Sequence, residues 1–112
     1  MSLEIKSNEI NKVVVVRLIG NLDASTAPTA EFEVNSWLEK GTQKLIINLE
    51  ETKYVSSAGL RIFLATVKKM TASGGVVKLC SVNEVVQEVL DISGLSTILE
   101  VKETEEHALS TM

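Results

Sequence analysis

The run Lys12-Val-Val-Val-Val-Arg-Leu-Ile19 constrains the fold most. A strand with one wet face alternates apolar and polar residues, whereas this run is β-branched and almost continuously apolar. Such a run suits a strand covered on both faces, inside a sheet. Gln43 to Leu49 reads as a second buried strand, and Val76 to Cys80 as a third strand. Ahead of the first run, Leu3-Glu-Ile-Lys-Ser7 alternates with period two, and Asn8-Glu9 is placed to turn it back as an antiparallel neighbour. Ile98 to Val101 is expected as a short last strand.

Helical signals fill the intervals. Pro28 suits a first helical turn, with Ser25 or Thr26 before it as N-cap. Ala27, Ala30, Val34, Trp37 and Leu38 then form one apolar stripe that ends at Gly41. Leu60, Phe63, Leu64, Val67 and Met70 mark a second helix that stops at Gly74-Gly75. Ser81-Val-Asn-Glu84 matches a capping box, with Ser81 as cap, ahead of a stripe of Val85, Val86, Val89 and Leu90 that Gly94 ends. Thr104 caps a final short helix whose Glu105 and Glu106 complement the dipole. Strand–helix–strand repetition of this kind predicts an α/β fold with a mixed, mostly parallel sheet of four to five strands and about four helices. At 112 residues and 45% hydrophobic content, one domain over residues 1–112 is expected.

Charge and composition exclude several classes of function. The 15 acidic and 11 basic residues leave a net charge of −4, and no stripe of Lys or Arg is gathered to neutralise phosphates, so nucleic acid is not an expected partner. The longest apolar runs fall far short of the ~20 residues a membrane helix needs, and no basic stretch precedes an apolar segment at the start. A soluble, cytoplasmic protein without membrane insertion is expected. Cys80 has no second cysteine to pair with, and reads as a small buried hydrophobe; His107, the only histidine, reads as a solvated residue near the end. No metal or other cofactor is implied.

In an open α/β sheet, ligands and partners are met where strand ends lead into helix starts. Two such segments carry polar residues the core does not need: Gly20-Asn-Leu-Asp-Ala-Ser-Thr26 and Tyr54-Val-Ser-Ser-Ala-Gly-Leu60. Each follows a buried strand and precedes a helix, so both are expected on one edge of the sheet. Ser56 and Ser57 stand at a helix start, where free N–H groups and the dipole tolerate a phosphate. Such a phosphate adds about −1.5 to −2 charges to the surface. The plainer alternatives are that one serine is only an N-cap and that Asp23 is a turn residue whose carboxylate accepts local N–H groups. A hydrolase is disfavoured: Val55-Ser-Ser-Ala-Gly59 lacks the first glycine of a nucleophile elbow, and His107 is the only available base. No catalytic residue is assigned.

In order and spacing, Gly20-Asn-Leu-Asp23, the strand Leu45 to Leu49, Tyr54-Val-Ser-Ser-Ala-Gly-Leu60, Gly74-Gly75 and Ile92-Ser-Gly-Leu95 resemble the STAS domains. Free-standing bacterial members of this size are similar to anti-sigma factor antagonists. The resemblance implies a partner switch. The unphosphorylated antagonist captures an anti-sigma factor that is a serine kinase, the kinase phosphorylates it with ATP and loses it, and a serine phosphatase resets it. Matched by motif, the phosphorylated serine falls on Ser57, with Ser56 as second choice, and the partner surface includes Asp23, Ser56, Ser57, Gly59 and Leu60. Ser56 replaces the acidic residue that many antagonists carry before the phosphorylated serine. The resemblance also implies a free monomer and no enzymatic activity. The alternative is a STAS scaffold or accessory subunit of a sensor or lipid-transport complex, in which Ser57 is never phosphorylated.

Overall fold

The computed structural model describes residues 3–112. β1 (Glu4–Ile10) and β2 (Val13–Leu22) form an antiparallel hairpin closed by Ile10 opposite Val13. The turn lies at Asn11 and Lys12, with φ of 50° and 68°, and not at Asn8-Glu9. Two left-handed residues match the twist of a two-residue hairpin loop, and Asn enters that conformation at little cost. β1 therefore continues through Asn8 and Glu9.

The chain then runs through α1 (Ala27–Glu39), β3 (Lys44–Asn48), β4 (Thr52–Val55), α2 (Ser57–Ala72) and β5 (Val76–Cys80). It ends with α3 (Glu84–Ser93), a single 3-10 turn (Leu95–Thr97), β6 (Glu100–Lys102) and α4 (Glu105–Ser110). The main sheet has the order β1-β2-β3-β5-β6, antiparallel at β1 and parallel elsewhere. β4 is a sixth strand beyond those expected, paired to β2 off the main path.

From β2 to β3, β5 and β6 the sheet is crossed in one direction, so crossovers of a single hand bring α1, α2 and α3 to one face. Val14, Val16, Leu18, Leu45, Ile47 and Leu79 point to that face and join Ala30, Val34, Phe63, Met70, Val86 and Leu90 of the helices in one core. Val13, Val15, Ile46 and Cys80 point the other way, into a smaller cluster with Ala108 of α4. This is the two-sided burial that the β-branched run demands, and each buried valine contributes about 1.5–3 kcal/mol relative to exposure.

α4 is seated on the second face by polar contacts as well. Glu105 Oε1 accepts from Asn48 Nδ2 at 2.8 Å and from Arg17 Nη2 at 3.3 Å. Lys78, buried in β5, donates from Nζ to the carbonyl and hydroxyl of Thr111, both at 2.8 Å, and pairs with Glu100 at 3.3 Å. Thr104 caps α4 as expected, accepting from the His107 N–H at 3.0 Å, and His107 is exposed.

The capping box at Ser81 does not form. Ser81 takes a left-handed turn (φ 62°), and α3 begins three residues later with Asn83 as its cap. Asn83 Oδ1 accepts from the Val86 N–H at 2.8 Å, while its amide donates to the carbonyls of Thr52 and Lys53, both at 3.2 Å. A serine hydroxyl has one proton to give, whereas the Asn amide caps the helix and ties it to β4 together. The helix accordingly turns Val85 to solvent and buries Val86 and Leu90. The last strand also starts later than expected, at Glu100, because Gly94 (φ 81°) leads into the 3-10 turn and leaves Ile98 outside the sheet.

Candidate partner-binding site

The site is built where β2 outruns β3. β2 pairs with β3 only from Val14 to Arg17. At Gly20, φ is 123°, a backbone that L side chains rarely adopt, and the register breaks. Beyond it β2 pairs with β4 instead, Gly20 opposite Thr52 and Leu22 opposite Val55. The buried hydroxyl of Thr52 donates to the Leu18 carbonyl at 2.7 Å and pins the junction. Ser56 N–H then donates to the Leu22 carbonyl at 2.8 Å. The two polar segments therefore meet on one edge, as the topology implied, and are joined main chain to main chain one residue before Asp23.

Asp23 organises the first segment. Its Oδ1 accepts from the Ser25 hydroxyl at 2.7 Å, the Ser25 N–H at 2.9 Å and the Thr26 N–H at 3.2 Å. These bonds, led by the Ser25 hydroxyl, hold the carboxyl below the usual aspartate range. Thr26 stands at the N-cap position of α1, but its hydroxyl is engaged elsewhere, accepting from the Asp23 N–H at 2.9 Å and donating to the Asn21 carbonyl at 2.8 Å. Asp23 is thus the anionic centre of a rigid turn.

The second segment separates the two serines. Ser56 is the N-cap residue of α2, with extended backbone, yet its Oγ is buried and has no hydrogen-bond partner among the described residues. Ser57 is the first helical residue and is exposed. The first helical bond runs from the Leu60 N–H to the Ser56 carbonyl at 3.0 Å, so the amides of Ser57, Ala58 and Gly59 lie ahead of the helical ladder. Gly59 is buried: a Cβ there would lie 2.8 Å from Leu22 Cδ2 and Cγ and from Val55 Cγ1. Its missing side chain lets α2 start hard against the β2–β4 junction.

From Ser57 an open groove continues between α2 and the turn after α3, lined by Leu60, Arg61, Leu64, Ser93, Gly94, Leu95 and Ile98. Ile98 is 54% exposed and Ile92 79% exposed on the same part of the chain. Ile98, expected in the last strand, instead lies outside it on the groove surface, a placement no feature of the sequence had marked. Among the described residues no three His, Cys, Asp or Glu side chains gather to hold a metal ion, and no helix is long and apolar enough to cross a membrane.

A model of the STAS domain matches residues 4–108. The chain belongs to the STAS domain family. This STAS domain is 28% identical over 113 aligned positions to the anti-sigma F factor antagonist of Paenibacillus polymyxa, an alignment covering 100% of this chain and 97% of that protein. An anti-sigma factor antagonist from Mycobacterium paratuberculosis shares the fold with a TM-score of 0.91 at 23% identity, covering 97% of this chain and 92% of that one. The phosphorylated form of the Bacillus cell fate determinant SpoIIAA shares it with a TM-score of 0.76 at 23% identity, covering 96% of this chain and 98% of that one.

Proposed function

We propose that this STAS domain is a cytoplasmic anti-sigma factor antagonist, a binding protein without catalysis of its own, in which phosphorylation of Ser57 releases an anti-sigma serine kinase. The observation that carries the proposal is the placement of Ser57. It is exposed on the first turn of α2, beside the Asp23 turn that the Ser56 amide ties to it, and at the mouth of an apolar groove. Access separates it from Ser56, whose hydroxyl oxygen is covered. Full-length similarity to an anti-sigma F factor antagonist supports the same role. So does the fold shared with a protein whose structure is known in a phosphorylated form.

The physics of release is local. A kinase surface fitted to neutral Ser57 meets a phosphate dianion after transfer, and an unpaired charge desolvated in an interface costs several kcal/mol, on the order of a thousandfold in affinity. The carboxylate of Asp23 adds like charge to the same edge, and the α2 N-terminus keeps the free phosphoprotein folded. A serine phosphatase would restore the capturing form. Intact-mass analysis after incubation with the candidate kinase and Mg-ATP, followed by peptide mapping, tests this. One phosphate on Ser57, abolished by Ser57→Ala, is expected. No phosphate with a demonstrably active kinase, together with a Ser57→Asp variant that still binds its partner, would point instead to a scaffold that never switches.

A further inference from the structure

We propose that Arg61 is the residue that captures the phosphate on Ser57, so that phosphorylation also withdraws a cation that the apolar groove offers to a partner. The inference rests on Ser57 being the phosphorylated residue. Ser57 and Arg61 are one helical turn apart on α2, at i and i+4, and line the same groove. Helical side chains lean toward the N-terminus, so a long side chain at position 61 covers the turn that begins at position 57. The order also suits an ion pair, since an anion one turn N-terminal to a cation is the more favourable arrangement and agrees with the helix dipole.

Arg61 is free to do this. Among the described residues it makes no ion pair within 4.0 Å, whereas Arg17 pairs with Glu51 and Glu105. Glu31 of α1 and Lys68 of α2 are the other charged residues around the adjoining cleft between α1 and α2. Among the described residues, the remaining groove wall, with Leu60, Leu64, Leu95 and Ile98, carries no charge. In the unphosphorylated protein Arg61 is thus an unpaired guanidinium within an apolar surface, complementary to a partner segment that sets a carboxylate among apolar residues. A serine phosphate presents three acceptor oxygens and nearly two charges, and a guanidinium fork binds such a group bidentately.

The test needs no kinase. Phosphoserine is installed at position 57 during translation, and the second ionisation of the phosphate is followed by 31P NMR in the folded protein. A cation beside the phosphate favours the dianion, so Arg61→Gln should raise the phosphate pKa by about 0.3 to 0.6 pH units, given coupling of roughly twofold or more for such pairs. Arg61→Lys should recover part of the shift, and Lys68→Gln, three turns from the phosphate, should not move it. Equal phosphate pKa values in the parent protein and in Arg61→Gln would overturn the assignment. Because the phosphate is placed genetically, that result is distinct from failure of a kinase to modify Ser57.

Discussion

Gly59 offers a sharp test of how the site is held in place. A methyl group at this position would sit 2.8 Å from three atoms, two on Leu22 and one on Val55. Neither neighbour can swing aside, since Leu22 is 0% and Val55 1% exposed. Forcing one carbon into such a site costs about 1–3 kcal/mol. Against this, Gly→Ala in a helix interior gains about 0.8–1 kcal/mol, and less in the first turn, where Gly59 stands. Gly59→Ala should therefore destabilise by roughly 1–2 kcal/mol and lower Tm by about 3–10 °C for a domain of this size. Urea unfolding should show a lower midpoint with an unchanged slope. Shortening the obstructing side chain should partly relieve the clash, so Gly59→Ala combined with Val55→Ala should cost less than the sum of the two single changes. A Gly59→Ala protein as stable as the parent, or additive effects in the double variant, would refute the packing account of this glycine.

Three further outcomes are expected. Ser56→Ala, which at an ordinary N-cap would cost ~1 kcal/mol, should be neutral or stabilising in urea melts, because the Ser56 hydroxyl is buried without a partner among the described residues. Asn83→Ala should lose about 1–2 kcal/mol while Ser81→Ala stays within ~0.5 kcal/mol, since only Asn83 caps α3 and bonds β4. Asp23 has a folded pKa below its ordinary value of 3.8, so its carboxylate bonds favour folding above that value and the benefit is lost as pH falls through the folded pKa. The stability gap between the parent and Asp23→Asn, read from thermal melts, should accordingly be present at pH 6 and shrink below about pH 4.

What was legible in the sequence depended on whether the deciding contacts were local or distant. The two-sided burial of Val13 to Val16 was written in the side chains themselves, because β-branched residues without alternation leave no face for water. Gly41 and Gly94 ended their helices with φ of 88° and 81°, a local demand that glycine meets without strain. The meeting of the Asp23 and Ser56–Ser57 segments followed from topology, as each leaves a strand end on the same edge.

The start of α3 was misread because Ser81 and Glu84 satisfy a local pattern, while the winning cap, Asn83, is chosen by bonds to carbonyls of Thr52 and Lys53 some thirty residues away. β4 was invisible for a related reason. Thr52-Lys-Tyr-Val55 has no alternation, and its strand character comes from pairing with the overrunning end of β2. Ile98 sat in a run that looked like a strand, and only the turn at Gly94 places it on the groove. The serines themselves were alike by position, and only the folded chain shows that they differ in exposure, with the Oγ of Ser56 covered and Ser57 exposed.

In the proposed function a phosphate on Ser57 controls partner binding. Titration calorimetry of the anti-sigma kinase against the unphosphorylated protein and against the form carrying phosphoserine at position 57 measures it directly. Firm binding of the first is expected, with an affinity on the order of a thousandfold weaker for the second, several kcal/mol of discrimination from one charged group. Equal affinities for the two forms would contradict it.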